Sequence, residues 1–274
     1  MPIEIVSSSS ARFPLQSTIG NRHLKIIGII PSRYASQRLP AKSLADICGK
    51  PMVQHVYERA KRSRLITDVI VATDDERIAS AVKKFGGNAV MTPAAIQSGS
   101  DRVAFAARSL DADIVVNIQG DEPLIEPALI DQTIQLLLDD NDLVVGTAVK
   151  KIVALEELLT PSVVKVVVDK NNFALYFTRS LVPFVRDSQE VTDWLKHAVF
   201  YKHFGIYVYR GYFLQHYTSL TPTPLEQAEK LEQLRILEYG FRIKTAVTEH
   251  DSIPVDTQDD LDRVRAKFKV QNSK

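Results

Sequence analysis

Apolar and polar positions along this chain fall into blocks whose period switches between strand-like and helix-like. KIIGII (25–30) is a short continuous apolar run, as expected of a strand buried on both faces. KPMVQHVYERAKRS (50–63) has apolar positions at helical spacing, with Lys61 and Arg62 at its end. DVIVATDDE predicts a second strand, ERIASAVKKFGG a helix closed by Gly86 and Gly87, and NAVMT a short third strand. SDRVAFAARSL predicts a helix opened by Ser100 and Asp101, and DIVVNIQGDEP another buried strand, ending in two carboxylates and a proline. Strands alternating with helices predict an α/β fold with a Rossmann-like, doubly wound parallel sheet. In such sheets ligands bind outside the carboxyl ends of the strands. That rule gathers Arg33, Thr73, Asp74 and Asp121 around one crevice.

The pattern changes beyond residue 142. DLVVGTAV, SVVKVVVD, FALYFTRS and HFGIYVYR are strand-like with short connections and a turn at Lys170–Asn172. They predict an inserted mixed portion at about 150–240, with helices near 211–218 and 225–239. In the latter, Leu225, Ala228, Leu231 and Leu234 form an apolar stripe, and Glu229 and Gln233 share another face. RIKTAVT returns as a strand, and TQDDLDRVRAKF predicts a final helix with Thr257 as its N-cap. The expected organisation is one domain over 25–268 with an embedded subdomain, an N-terminal extension over 1–24 and a tail over 269–274.

Composition narrows the function. The 274 residues carry a formal charge of +1, which argues against a general nucleic-acid surface and makes any basic cluster local. Cys48 is the only cysteine, which excludes an internal disulfide and a thiolate metal cluster. Beside Ile47 and Gly49 it reads as a small buried residue. No segment approaches the ~18 uninterrupted apolar residues of a membrane span. Residues 1–24 lack a signal-peptide core, and a cytoplasmic, soluble protein is expected.

The local basic cluster is Arg33, Arg38 and Lys42 in IIPSRYASQRLPAKSL (29–44), past the first strand. The loop has neither the glycines of a dinucleotide site nor a P-loop motif, so an anion there is held through side chains. Arginine forks and a lysine suit phosphate oxygens, although a solvated basic loop is the alternative. In QGDEP (119–123), Asp121 at a buried strand's tip is suited to hold Mg²⁺ against phosphate. Asp256 in VDTQDD is a second carboxylate for the same ion or, alternatively, a capping residue. QSGSDR (97–102) offers an amide, hydroxyls and an arginine for a pyrimidine edge, or an ordinary helix start. His203 and Tyr207 share one face of a strand. Neither zinc ligands nor a triad serine accompany them.

Taken in order, IIPSRYASQRLPAKSL, GKPMVQHVYERA, VATDDERI, QSGSDR, VNIQGDEP, VKVVVD, ALYFTRS, KHFGIYVY, LEQLRILEYG and VDTQDDLDRVR resemble the 3-deoxy-manno-octulosonate cytidylyltransferase (CMP-Kdo synthetase) family over about 25–268. The resemblance implies a nucleotidyltransferase fold with an inserted dimerisation portion. It implies a homodimer that joins CTP and the sugar acid Kdo into CMP-Kdo for lipopolysaccharide synthesis, releasing pyrophosphate. By position, Arg33, Ser36, Arg38 and Lys42 would hold the triphosphate, and Asp121 and Asp256 the Mg²⁺. Thr73, Asp74, Ser98, Gly99, Ser100 and Arg102 would surround the nucleotide. Gln119, Arg179, His203, Tyr207, Glu229 and Gln233 would contact Kdo, with Arg179 suited to its carboxylate. Catalysis by positioning and charge neutralisation needs no covalent intermediate.

The chain departs from that family where LPGKPL is replaced by LPAKSL, placing Ala41 and Ser43 for glycine and proline, and where SGT is replaced by SGS. Residues 186–201 also fit its pattern less clearly. Two other readings stand beside it. One is a synthetase for 8-amino-Kdo, against which Glu122 argues, or for a sialic acid. The other is a catalytically silent nucleotide-binding regulator.

Overall fold

A computed structural model describes residues 23–35, 39–96 and 98–272. The first half alternates as the periodicity predicts. β1 (Ile26–Ser32) leads through a 3₁₀ turn and the small hairpin of β2 (Asp46–Ile47) and β3 (Lys50–Pro51) into α1 (Met52–Ala60). β4 (Asp68–Thr73), α2 (Glu76–Lys84), β5 (Asn88–Met91), α3 (Gly99–Ala107), β6 (Ile114–Asn117) and α4 (Pro127–Asp139) follow. The second half holds β7 (Val145–Lys151), α5 (Leu155–Leu159), β8 (Lys165–Val168), β9 (Ala174–Thr178), α6 (Trp194–His197) and β10 (Tyr201–Arg210). The chain ends with α7 (Gly211–Ser219), α8 (Pro224–Glu229), α9 (Gln233–Glu238), β11 (Lys244–Val247) and α10 (Gln258–Asn272).

Among the described residues, the main sheet runs β11-β7-β10-β6-β1-β4-β5, with β8 and β9 attached beside β10. β5, β4, β1 and β6 are parallel, and β10 inserts antiparallel between β6 and β7. The continuous apolar run of β1 is explained by its central place. Ile26 and Ile30 enter the core under α1, α2 and α4, whereas Ile27 and Ile29 face α3, α7 and α9. The chain moves from β1 to β4 on one side and reaches β6 on the other, so a crevice opens where the order reverses. A third cluster, with Ile47, Met52, Val255, Leu261 and Phe268, packs α10 against the small hairpin. No helix among the described residues is long and apolar enough to cross a membrane.

Several local expectations change. The helix expected at 225–239 is broken at Lys230, whose φ of 55° and ψ of 46° are left-handed. Leu225 is consequently 41% exposed, and Glu229 and Gln233 lie on different helices. α3 begins earlier than its periodicity suggested: Ser98 is the N-cap, its hydroxyl accepting from the Asp101 amide at 3.0 Å. Thr257 does cap α10, exchanging hydrogen bonds with Asp260. Cys48 is exposed rather than buried. With φ of 52° it forms, with Gly49 at 88°, the two-residue turn between β2 and β3, where both central residues need positive φ.

Candidate active site

A cavity of about 830 Å³ opens at the crevice. Three strand ends supply its walls: Pro31, Ser32 and Arg33 at the end of β1, Asp74 after β4, and Gln119, Gly120 and Asp121 after β6. The approach of β1 and β6 requires glycine at 120, where a Cβ would stand 2.8 Å from the Pro31 carbonyl oxygen. Asp256 arrives from the far end of the chain because the Val255 amide donates to the Asp121 carbonyl at 2.8 Å.

Lys42 joins the two carboxylates. Its Nζ donates to Asp121 Oδ2 at 2.8 Å and to Asp256 Oδ1 at 3.1 Å. Burial works to lower the ammonium pKa, but the two carboxylates outweigh it and hold the group above its ordinary value. Ala41 aims this lysine from a left-handed conformation, φ 56° and ψ 27°, at the position where the resembled family commonly has glycine. Two convergent oxygen-donor side chains fit a Mg²⁺ ion that completes its shell with water and phosphate. Among the described residues no group of three or more His, Cys, Asp or Glu forms an all-protein metal cage.

Ser98, Gly99 and Arg102 bring the start of α3 to the same cavity. Arg102 is only 3% exposed and its guanidinium is spent within the wall, on the Thr92 hydroxyl, Asp74 Oδ2 at 2.9 Å and the Ile96 carbonyl at 3.0 Å. It shapes the pocket by bracing Asp74 and the loop before α3. Thr73 is fully buried and does not line the cavity; its hydroxyl accepts from the Asp75 amide. Ser36, Arg38 and Gln97 lie outside the described residues.

A second cavity of about 240 Å³ shares Gly99, Gln119 and Glu232 with the first. Ser100, His203, Tyr207 and Gln233 line it, with Tyr209 and Tyr217 continuing a stacked run of rings behind Tyr207. Gln119 Nε2 donates to the Gly205 carbonyl at 3.0 Å and to Asn117 Oδ1 at 3.3 Å, which leaves its Oε1 as an acceptor. The Tyr207 hydroxyl and Gln233 Nε2 are buried without a hydrogen-bond partner. Unpaired buried polar atoms are costly, and a polar ligand in this cavity would satisfy both. Burial pushes the Tyr207 phenol well up, and pushes the His203 imidazole down to about 3.

Two residues expected here face elsewhere. Glu229 accepts from the Thr178 hydroxyl at 2.6 Å and the Arg179 amide at 3.0 Å, while Arg179 donates to the Glu229 and Pro161 carbonyls. Neither lines either cavity. Their contacts tie the end of α8 to the end of β9 and so anchor the 230–233 turn. The helix break at Lys230 is the reason: it turns Glu229 toward β9 and leaves Glu232 and Gln233 facing the cavities.

Glu232 escaped the sequence reading. It stands at the junction of the two cavities, and burial raises its carboxyl pKa against the opposing pull of Ser100. Its only sequence signal was adjacency to Gln233. Glu122, next to Asp121, is buried beneath Gln119; desolvation lifts its pKa to about 7 and its Oε2 has no partner.

Comparison with known proteins agrees with this geometry. The sequence profile of the Cytidylyltransferase family matches residues 27–245. A 3-deoxy-manno-octulosonate cytidylyltransferase of Geotalea uraniireducens is 53% identical over 250 residues, 90% of this chain and all of that one. One from Geobacter metallireducens is 54% identical over 252 residues, covering 89% of this chain and 98% of its own length. The solved structure of a CMP:2-keto-3-deoxy-manno-octonic acid synthetase complexed with CTP superposes with a TM-score of 0.84 at 44% identity, covering 90% of this chain and 99% of that one. Matched by that family profile over most of its length and more than half identical to these two relatives across nearly their whole chains, this chain belongs to the 3-deoxy-manno-octulosonate cytidylyltransferase family.

Proposed function

We propose that this chain transfers CMP from CTP to the anomeric hydroxyl of 3-deoxy-D-manno-octulosonate (Kdo), giving CMP-Kdo and pyrophosphate. The observation that carries the reading is the pair of adjoining cavities. One is lined by phosphate-compatible cations and two convergent carboxylates, the other by sugar-compatible amides and hydroxyls, and they share Gln119 and Glu232. The names and structure of its relatives support the same pair of substrates.

In this reading the triphosphate lies along Arg33 and Lys42, with Ser36 and Arg38 from the same loop, and the cytosine faces Asp74 and the Ser98–Ser100 turn. Arg102 holds that wall in shape. Asp121 and Asp256 hold Mg²⁺, which when bound neutralises phosphate charge. The sugar sits against Gln119, His203, Tyr207, Glu232 and Gln233. Its anomeric oxygen attacks the α-phosphorus, the bond to the β-phosphate breaks, and pyrophosphate leaves against the loop cations. The hydroxyl proton is lost to solvent. Positioning and charge neutralisation account for the acceleration.

The proposal extends to organisation. The unit over 25–268 acts in the cytoplasm, where CTP is available, with residues 150–240 as an insertion, 1–24 as an extension and 269–274 as a tail. A second copy packs on the insertion, where Phe184 is 75% exposed and Val153 74% exposed.

The test is pyrophosphate release from CTP and Mg²⁺ with Kdo, 8-amino-Kdo or N-acetylneuraminate supplied separately. Release with Kdo, and its loss in a folded Asp121→Asn variant, is expected. Preference for another sugar, or full activity of the variant, would overturn the substrate or the metal assignment respectively.

A further inference from the structure

β10 falls out of step with β7 between Phe204 and Tyr207: Phe204 pairs with Ala148, yet Tyr207 pairs with Thr147. Extra residues of this kind disrupt the ladder. Thr147, fully buried, inserts its hydroxyl at the disruption. Its Oγ1 lies 2.7 Å from the Ile206 carbonyl oxygen, 3.2 Å from that of Phe204 and 3.0 Å from His203 Nε2.

A hydroxyl has one hydrogen to place among these three. Two oxygens at 2.7 Å need a proton between them, and a carbonyl has none to give, so the Thr147 hydrogen points to Ile206. Toward His203 the hydroxyl therefore offers a lone pair, and Nε2 must carry the hydrogen. Nδ1 has no protein partner among the described residues, while the ring lines the smaller cavity. Phe177 packs edge-on at 5.1 Å and Tyr207 tilts against it at 5.2 Å, fixing the ring plane.

We propose that Thr147 is a positioning residue of the sugar site: it fixes His203 as the Nε2–H tautomer, so that Nδ1 accepts a hydrogen bond from a hydroxyl of the bound sugar acid. The substrate half of this statement rests on the function proposed above. The arrangement complements the rest of the cavity, where Gln233 Nε2 is left to donate. Burial also keeps the ring neutral, so His203 serves as a hydrogen-bond acceptor and not as a proton carrier.

Long-range ¹H–¹⁵N spectra of the full chain read the tautomer of each of its six imidazoles, and a His203→Gln variant identifies the relevant signals. At neutral pH the expected result is hydrogen on Nε2 and a lone pair on Nδ1. Hydrogen on Nδ1, or a doubly protonated ring, would overturn the proposal without any Thr147 variant. In Thr147→Val the ring is expected to populate both tautomers, and KM for Kdo to rise about five- to tenfold, the worth of one hydrogen bond, with KM for CTP unchanged. Thr147→Ser keeps the hydroxyl and is expected to restore both readings. A valine variant with the wild-type tautomer and wild-type KM would refute the role. If valine prevents folding, the wild-type spectrum and the serine variant decide. A wild type that releases no pyrophosphate with Kdo removes the functional reading and the substrate half of the proposal, while the spectrum still decides the tautomer.

Discussion

Lys42 bridges two carboxylates that would otherwise repel, and its removal has a calculable cost. Both oxygens lie within 3.1 Å of one nitrogen, so they are no more than about 6 Å from each other. At an effective dielectric constant of about 20, two unit charges at that distance repel by about 3 kcal/mol. Side-chain exposures of 27% and 33% for Asp121 and Asp256 let solvent screen part of this. A loss of about 2 kcal/mol is therefore expected for Lys42→Met without divalent metal, or about 4–8 °C in melting temperature for a chain of this size. Thermal melts in EDTA and in Mg²⁺ test it. Mg²⁺ can take over the neutralising role, so it should raise the variant's melting temperature more than the wild type's, whose ammonium competes for the same oxygens. Activity should remain low in both conditions, because the phosphate-binding cation is gone. A variant that melts with the wild type in EDTA, or that ignores Mg²⁺, would refute the arrangement of Asp121, Asp256 and Lys42 as one charged cluster.

Three further outcomes are expected. Ala41→Gly relieves a left-handed alanine worth about 1–2 kcal/mol but adds unfolded-chain entropy, so a net stabilisation of about 0–1 kcal/mol should appear in melts; a clear destabilisation contradicts the strain. Arg102→Met strands Asp74 and the Ile96 carbonyl, which should cost about 2–4 kcal/mol and raise KM for CTP. Arg102→Lys should not recover it, since lysine lacks the planar fork, and full recovery would count against the bracing role. Glu122 has a native pKa of about 7, above its ordinary 4.5, so its proton stabilises the fold below about pH 4.5 and that contribution is lost as pH rises through 7. Between pH 5.5 and 8 the loss is about 2 kcal/mol, which melts in EDTA should show; Glu122→Gln should flatten the profile, and an unchanged profile would reject the assignment.

Much of this molecule was legible as sequence because local physics decides it. The doubly apolar β1 could only be a central strand, and the cations and carboxylates that follow β1 and β6 had to meet at the carboxyl edge of a parallel sheet. Thr257 announced its cap because an N-cap needs only residues three positions apart. The misreadings arose where a distant partner outbid local preference. Periodicity carried a helix through Lys230, but the carboxylate of Glu229 is held by Thr178 and Arg179, about fifty residues earlier, and the chain turns there. The same turn put Glu232 in the site and took Glu229 and Arg179 out of it. Cys48 read as buried from its neighbours, yet a two-residue turn needs its positive φ and leaves it in solvent. Strand identity, helix caps and the presence of charge thus followed from residues near one another in the chain. Which charges touch, which atoms are left unpaired, and which nitrogen of His203 holds its hydrogen were decided by contacts that exist only after the sheet has formed.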